Sequence, residues 1–326
     1  MLFRSRGYRP RGEPWAVVVG GAAWDIKARS LAAARLHTSN PAVVTRTPGG
    51  VGRNIAEGLA RLGGRVHLVA AVGTDPAGRE LLARTADAGV YVDRVVESPH
   101  PTGSYLAALD ASGELVIGLS DFAATDAMDV AALSNAQELI GRAAVVVVDA
   151  NIPVDVAAWV LGVTAARGVQ VVLEPVSVAK AARVAPLLTA DRPVFAVTPN
   201  VDELGALAGR DLADSEDEIV AAARALQARG VGHVWVSRGD EGSLLVGPER
   251  TLAIPAVPAR VDDVTGAGDA LTAGFVHGLL RGDDPEVAAR RGHLAAALTV
   301  ASSHTVRPDL GVAIAAALAE TEGARP

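Results

Sequence analysis

Between Asp262 and Ala270 the chain reads Asp-Asp-Val-Thr-Gly-Ala-Gly-Asp-Ala, and an apolar run expected to be helical, Ala270 to Leu280, follows at once. Gly266 and Gly268 flank Ala267. Small residues ahead of a helix leave backbone N–H groups facing open space, and the helix end adds partial positive charge, so such a loop can hold an anion. A carboxylate at the end of a plain phosphate cradle would repel its ligand. Asp269 makes chemical sense there as a base that takes the proton of an attacking hydroxyl. Gly266, Ala267 and Gly268 would then hold the charge building on the group being transferred. That is the layout of a phosphotransferase. The competing reading is a helix cap, since Gly and Asp are common before helices.

A second cluster is Thr47-Pro48-Gly49-Gly50-Val51-Gly52-Arg53-Asn54. Glycines at 49, 50 and 52 let a substrate approach the backbone closely. Asn54 can both donate and accept, which suits a pair of hydroxyls. Taken alone, the segment also reads as a Gly-rich turn with Asn54 as a helix cap. Arg53 either packs at the surface or reaches a phosphate or base. Asp25, shortly after the first strand, can accept from two vicinal hydroxyls or can be a surface turn residue. Asn200 followed by Glu203 has capping-box spacing, and the same oxygens suit a hard cation that keeps several waters. Ser237 to Gly242 follows a strand and by itself is an ordinary turn.

The elements that must position these residues follow from periodicity. Val17 to Gly21 reads as a buried strand, 54–62 as a helix ended by Gly63 and Gly64, 66–72 as a strand and 75–88 as a helix. Residues 102–109 and 114–119 read as a hairpin-like pair. From Met128 helices and strands alternate: helix 130–141, strand 143–148, helix 154–167, strand 169–173, helix 177–188, strand 194–197, helices 202–208 and 215–228, strand 233–237. Alternation of this kind predicts a parallel sheet with helices on both faces. Crossovers of one hand put the carboxyl ends of the strands along one edge, where ligands sit. The segment after Asp25 and the hairpin near 102–119 break the rhythm. There is no internal repeat and no low-complexity linker.

Composition removes several classes. A chain of 326 residues, half of them hydrophobic, suits one large α/β domain or two. A net charge of −7 without a basic stripe argues against binding a nucleic-acid backbone, though not against a small anion. The absence of cysteine excludes disulfides, thiolate nucleophiles and cysteine-ligated zinc. The histidines are scattered, without metal-ligand spacing. No apolar run reaches transmembrane length. Arg4, Arg6, Arg9 and Arg11 are interspersed with Pro10, Gly12 and Pro14 instead of preceding a hydrophobic signal core, so a solvated extension over 1–14 and a cytoplasmic location are expected.

The string Asp262 to Ala270, with Thr272-Ala273-Gly274-Phe275 after it, resembles the C-terminal signature of the ribokinase-like (PfkB) sugar and nucleoside kinases. Gly49-Gly50-Val51-Gly52-Arg53-Asn54 resembles that family's N-terminal G-G-x-x-x-N motif, and Asn200 to Glu203 its N-x-x-E motif. The resemblance spans the chain after residue 15. It implies a kinase domain over 15–326: a mostly parallel central sheet with helices on both faces, plus a small β lid from segments near 26–47 and 99–122. It implies ATP and Mg²⁺, Asp269 as catalytic base and Gly266, Ala267 and Gly268 as the anion hole. Asp25, Gly49, Gly50 and Asn54 would grip the sugar. Asn200 and Glu203 would organise Mg²⁺, Glu203 through water, while Ser237, Gly239 and Gly242 would border the ATP. Asp263 and Thr265 match a K⁺ site found in some relatives. Exposed lid edges would pair with a second copy, as relatives often do.

Further strings resemble one branch of the family, the bacterial pseudouridine kinases. They include Ser39-Asn40-Pro41, Gly89-Val90-Tyr91-Val92-Asp93, Ser104-Tyr105-Leu106, Asp149-Ala150-Asn151-Ile152, Glu174-Pro175-Val176-Ser177 and Pro308-Asp309-Leu310. They imply transfer of the ATP γ-phosphate to the 5′-hydroxyl of free pseudouridine, a nucleoside and not RNA, which suits the acidic chain. Ser104, Tyr105 and Asn151 are candidates for base recognition by place and polarity. Ribose, adenosine or another nucleoside is the alternative acceptor, and a non-catalytic sensor on the same fold is the alternative of another class. A dinucleotide-binding oxidoreductase is disfavoured, because Ala22-Ala23-Trp24-Asp25 stands where its glycine fingerprint should continue.

Overall fold

The computed structural model describes residues 13–323, so most of the 1–14 extension lies outside the described residues. Its strands are β1 Trp15–Val19, β2 Ala23–Ser30, β3 Ala42–Gly49, β4 Arg65–Val69, β5 Ala71–Gly73, β6 Val96–Ser98 and β7 Gly103–Leu109. They continue with β8 Leu115–Asp121, β9 Val145–Asp149, β10 Gln170–Glu174, β11 Val194–Val197, β12 Val231–Ser237, β13 Ser243–Val246 and β14 Thr251–Ile254.

The main sheet has the order β14-β13-β12-β11-β10-β9-β1-β4. From β12 to β4 the neighbours run parallel, and β13 and β14 add an antiparallel edge. Val17 and Val19 of β1 point into one core and Ala16 and Val18 into the other. Alternation on a strand buried from both sides is why it reads as a continuous apolar run. The order reverses at β1 and β9: the chain leaves β1 toward β4 and leaves β9 toward β10. A crevice opens at such a switch point beyond the carboxyl ends of the strands.

The lid is a second sheet, β3-β2-β7-β8. Its register pairs Asp25 with Tyr105 and Trp24 with Ser104. Paired residues share a face, so Tyr105 lies on the Asp25 face and Ser104 on the Trp24 face. The irregular rhythm after Asp25 therefore resolves into two eight-residue strands.

Four expected elements differ, the first being 177–188, which is α-helical only over Val178–Val184 before a 3₁₀ turn at Ala185–Leu187. Over 130–141 only Gln137–Gly141 is α-helical, after a 3₁₀ turn at Ser134–Ala136. Asp129 accepts from the Ala132 N–H, and the Ser134 hydroxyl donates to Ala131 O, which draws the backbone away from a helix. The strand expected over 66–72 splits at Ala70 into β4 and β5. The helix expected at Asn54 begins at Val51, with Gly50 as N-cap at φ 88°.

Candidate active site

Asp269 lies in the first turn of the helix Ala267–Leu280, and no side chain caps that helix. Its Oδ2 accepts from Asn54 Nδ2 at 2.7 Å. Asn54 is likewise not a cap; it sits one turn into Val51–Arg61 with its amide aimed across the crevice. Arg53 fixes that aim. Its guanidinium donates to Asn54 Oδ1, to Gly49 O at 2.9 Å and to Pro48 O at 3.1 Å, and pairs with Glu57. The Arg53 side chain is buried inside its own loop, so the surface place expected for it does not hold. With its oxygen taken by the Arg53 donor, Asn54 can offer Asp269 only its amide nitrogen.

Burial pushes the Asp269 carboxyl up to about 7 against the pull of the Asn54 amide, and the charges of Asp149 and Asp25 add to the rise while Arg53 opposes it. Such a carboxylate accepts a proton near neutral pH. Burial also raises Asp25, with Arg53 and Lys27 opposing. Its carboxyl fills the space over Gly49, where a Cβ would lie 2.3 Å from it. Gly50 is forced for a second reason: its Cβ would lie 2.6 Å from Gly21 O.

In the loop ahead of the helix, Gly266 takes φ 82°, and a Cβ there would meet Thr305 O at 2.1 Å. Nothing lies within 4 Å of a Cβ built on Gly268. The Ala267 N–H donates to Val264 O at 3.2 Å. Among the described residues no acceptor takes the Gly268 N–H. Gly268 is thus one of the open donors, with Gly266 and Asp269, at the positive end of a 14-residue helix.

Asp263 and Thr265 of the same loop are bridged by the lid. Lys27 Nζ donates to Asp263 Oδ2 at 2.8 Å and Thr265 Oγ1 at 3.1 Å. Asn200 and Glu203 form a full capping box: Asn200 Oδ1 accepts from Glu203 N at 2.8 Å and Glu203 Oε2 from Asn200 N at 3.0 Å. Ser237 bridges to Asn200 across the sheet edge. Gly242 is required by packing, since its Cβ would lie 2.2 Å from Ile254 O, whereas Gly239 faces open space. Asn151 is buried, its Nδ2 donating to Asp149 Oδ1 at 2.6 Å and its Oδ1 accepting from Lys180. Ser104 is not brought to this cluster, because it lies on the other face of the lid.

Two carboxylates escaped the sequence reading as individual residues. Glu174 ends β10 and its Oε2 accepts from Thr198 Oγ1 at 2.6 Å and Thr272 Oγ1 at 3.0 Å. Burial pushes it up to about 8, and the nearby charges of Glu203 and Asp269 add to the shift. Asp149 ends β9 and is wholly buried. The signal was present: each is an acid closing an apolar strand, on the edge where ligands sit. Glu203 and Glu174 offer only hard oxygens, and no group of three or more His, Cys, Asp or Glu among the described residues could hold a metal alone. Such a donor set fits a cation held mainly by waters and phosphates, as Mg²⁺ is.

A carboxylate with a raised pKa at a helix N-terminus, a glycine loop with open backbone donors beside it and a lid over a doubly covered parallel sheet suit an α/β phosphotransferase with an alcohol acceptor. The chain belongs to the pfkB family of carbohydrate kinases, which it matches over residues 16–310. It is 34% identical to the pseudouridine kinase of Escherichia coli, over 95% of this chain and 98% of that protein. It is 27% identical to the deoxyribokinase of Salmonella typhi, over 79% of this chain and 82% of the other. Among solved structures, the ribokinase of Arabidopsis thaliana complexed with ribose and ATP superposes with a TM-score of 0.81 at 24% identity, covering 93% of this chain and 99% of that one. The ribokinase-like fold expected from the sequence, lid included, is thereby established.

Proposed function

We propose that this protein transfers the γ-phosphate of ATP to the 5′-hydroxyl of free pseudouridine, giving pseudouridine 5′-phosphate and ADP. The observation that carries the chemistry is the Asn54–Asp269 contact, which points a base with a raised pKa into the crevice. The choice of pseudouridine is supported by likeness along nearly the whole of both chains to the E. coli enzyme.

Asp25, Gly49, Gly50 and Asn54 hold the ribose beneath the lid, with Tyr105 and Asn151 facing the base. Asp269 accepts the 5′-hydroxyl proton as the new O–P bond forms and the bond from Pγ to the bridging oxygen breaks, releasing ADP. The loop 266–268 receives the phosphoryl oxygens, led by the open Gly268 N–H. Asn200, Ser237, Gly239 and Gly242 border the nucleotide. A bound Mg²⁺ would supply charge neutralisation at the phosphates. Glu203 would hold it through water. K⁺ is the second occupant proposed for the Asp263–Thr265 pair, in competition with Lys27. ATP and a free nucleoside meet in the cytoplasm, and no helix among the described residues is long and apolar enough to cross a membrane.

The outer lid face supports a homodimer. Val44, Ile117 and Leu119 stand exposed on it, beside a cavity of about 370 Å³ lined by Ala28, Leu109 and Val116 among others. Exposed apolar sheet faces of this kind are usually covered. Sedimentation at micromolar protein should give a dimer mass, and a monomer would remove that proposal. For the activity, ATP consumption is measured with Mg²⁺ against pseudouridine, uridine, adenosine, ribose and fructose. Turnover of pseudouridine with little on uridine is expected. Turnover of ribose or adenosine instead would overturn the acceptor and leave the kinase assignment standing. Nucleoside binding without turnover would favour a sensor.

A further inference from the structure

We propose that Asp149 is a positioning residue for the acceptor side of the site: its carboxylate sets the spacing of the three segments that carry Asp25, Asn54 and Asn151. This rests on the reading of those residues as the acceptor's partners.

Asp149 closes β9 at the point where the strand order reverses, and it is fully buried. Its Oδ2 accepts from Gly21 N at 2.9 Å and Gly52 N at 2.7 Å. Its Oδ1 accepts from Asn151 N and from Asn151 Nδ2, both at 2.6 Å. Gly21 leads into the strand of Asp25, Gly52 lies in the helical turn that carries Asn54, and Asn151 follows Asp149 itself. One side chain therefore joins its own segment to two others that are remote in sequence. All four contacts are donors. Only an ionised carboxylate accepts four N–H groups with its two oxygens; an amide or a protonated acid would turn a hydrogen onto one of them.

The surrounding backbone is fitted to that group. A Cβ on Gly20 would stand 2.6 Å from Asp149 Oδ2, and one on Gly52 would stand 2.7 Å from Gly20 Cα and 3.1 Å from the same oxygen. The loops close on one another only because neither glycine carries a side chain. The nucleotide-side residues Asn200, Ser237 and Gly242 lie on segments that make no hydrogen bond to Asp149 among the described residues. Disturbing Asp149 should thus misplace the acceptor and spare ATP. Its charge also lifts the Asp269 carboxyl, beside the effects of burial, Asn54, Asp25 and Arg53, which a variant at 149 leaves in place.

The test is Asp149→Asn, isosteric but unable to accept all four donors. Circular dichroism and a thermal melt establish folding. Steady-state constants are then measured for ATP and for whichever acceptor the wild type turns over best, so a wrong substrate assignment shows in the wild type and not in the variant. A misplacement of the acceptor on the ångström scale costs about 10²-fold, so kcat/KM for the acceptor should fall by about that factor while KM for ATP stays within about twofold. The acid limb of its pH profile should also move to lower pH, because a neutral 149 no longer opposes ionisation of Asp269. Equal losses for ATP and acceptor with an unmoved limb would reduce Asp149 to a packing residue, and an acceptor constant within about threefold of wild type would end the proposal. Should the variant not fold, or the wild type turn over none of the acceptors, amide exchange in the wild type decides. Gly21, Gly52 and Asn151 N–H should exchange far more slowly than open loop amides, and exchange at the open-loop rate would refute the bonds.

Discussion

The side-chain amide of Asn54 donates to Asp269 Oδ2 at 2.7 Å, joining the early turns of two helices whose residues stand 215 positions apart. Arg53 occupies Asn54 Oδ1, so the amide cannot turn over. One carboxylate oxygen of Asp269 is held, which leaves the other as the proposed destination of an acceptor proton. The two family motifs, one at each end of the chain, thus meet in one hydrogen bond.

Asp269→Asn keeps the shape and the Asn54 neighbour but removes the proposed base. General base catalysis is worth on the order of 10²–10⁴-fold, so kcat should fall within that range while nucleoside affinity holds. Activity within a few-fold of wild type would remove Asp269 from the proposed mechanism. The variant should also melt higher at alkaline pH. Folding raises this carboxyl above its unfolded value, so ionised Asp269 costs stability, with the cost growing from the unfolded pKa up to about 7 and fully present above it. Calorimetry of the two proteins on either side of that window checks the sign.

The same shift sets the pH dependence of the reaction. In the proposed mechanism the active form of Asp269 is deprotonated, and its pKa stands at about 7. The logarithm of kcat/KM should climb with unit slope below that value and level off above it, reporting the unliganded enzyme. A model-peptide aspartate would place the limb near 4, at about 3.9. Rates that stay level down to the ordinary aspartate range would show that the group is not raised or not the base.

Much of this site was legible because its residues are of types that serve few other purposes together. The Gly266–Asp269 and Gly49–Asn54 loops stand out by their glycine spacing, but each alone also reads as a helix cap, and the resemblance to the family's two motifs is what joins them at the edge that the β–α alternation predicts. Arg53 was not legible, because its burial depends on a Glu57 partner one helical turn on and on carbonyls of its own loop. Nor was the helix start at Val51, since a glycine cap contributes no side-chain oxygen to read. Asp149 and Glu174 stand in strings that resemble one branch of the family, but only the assembled sheet edge shows what their carboxylates bind. The face of Ser104 depends on lid register, which a one-residue slip would reverse.

Lys27 gives a prediction of a different kind. Its ammonium fastens the lid to the anion loop through Asp263 and Thr265, the pair expected to take K⁺. Burial tends to raise Asp263, but hydrogen bonds from Lys27 and Thr265 together with the lysine charge hold it below the usual carboxylate range. The Lys27 and Asp263 side chains are 32% and 31% exposed, and ion pairs so open to water are worth roughly 0–1 kcal/mol. A bond that weak can exchange one monovalent cation for another. Lys27→Met keeps most of the stem and removes the charge, leaving both oxygens to K⁺. The ratio of turnover in potassium chloride to turnover in choline chloride should therefore be larger for the variant than for the wild type. An equal ratio in the two proteins would mean that K⁺ does not share the Lys27 position, and the proposed competition would fall with it.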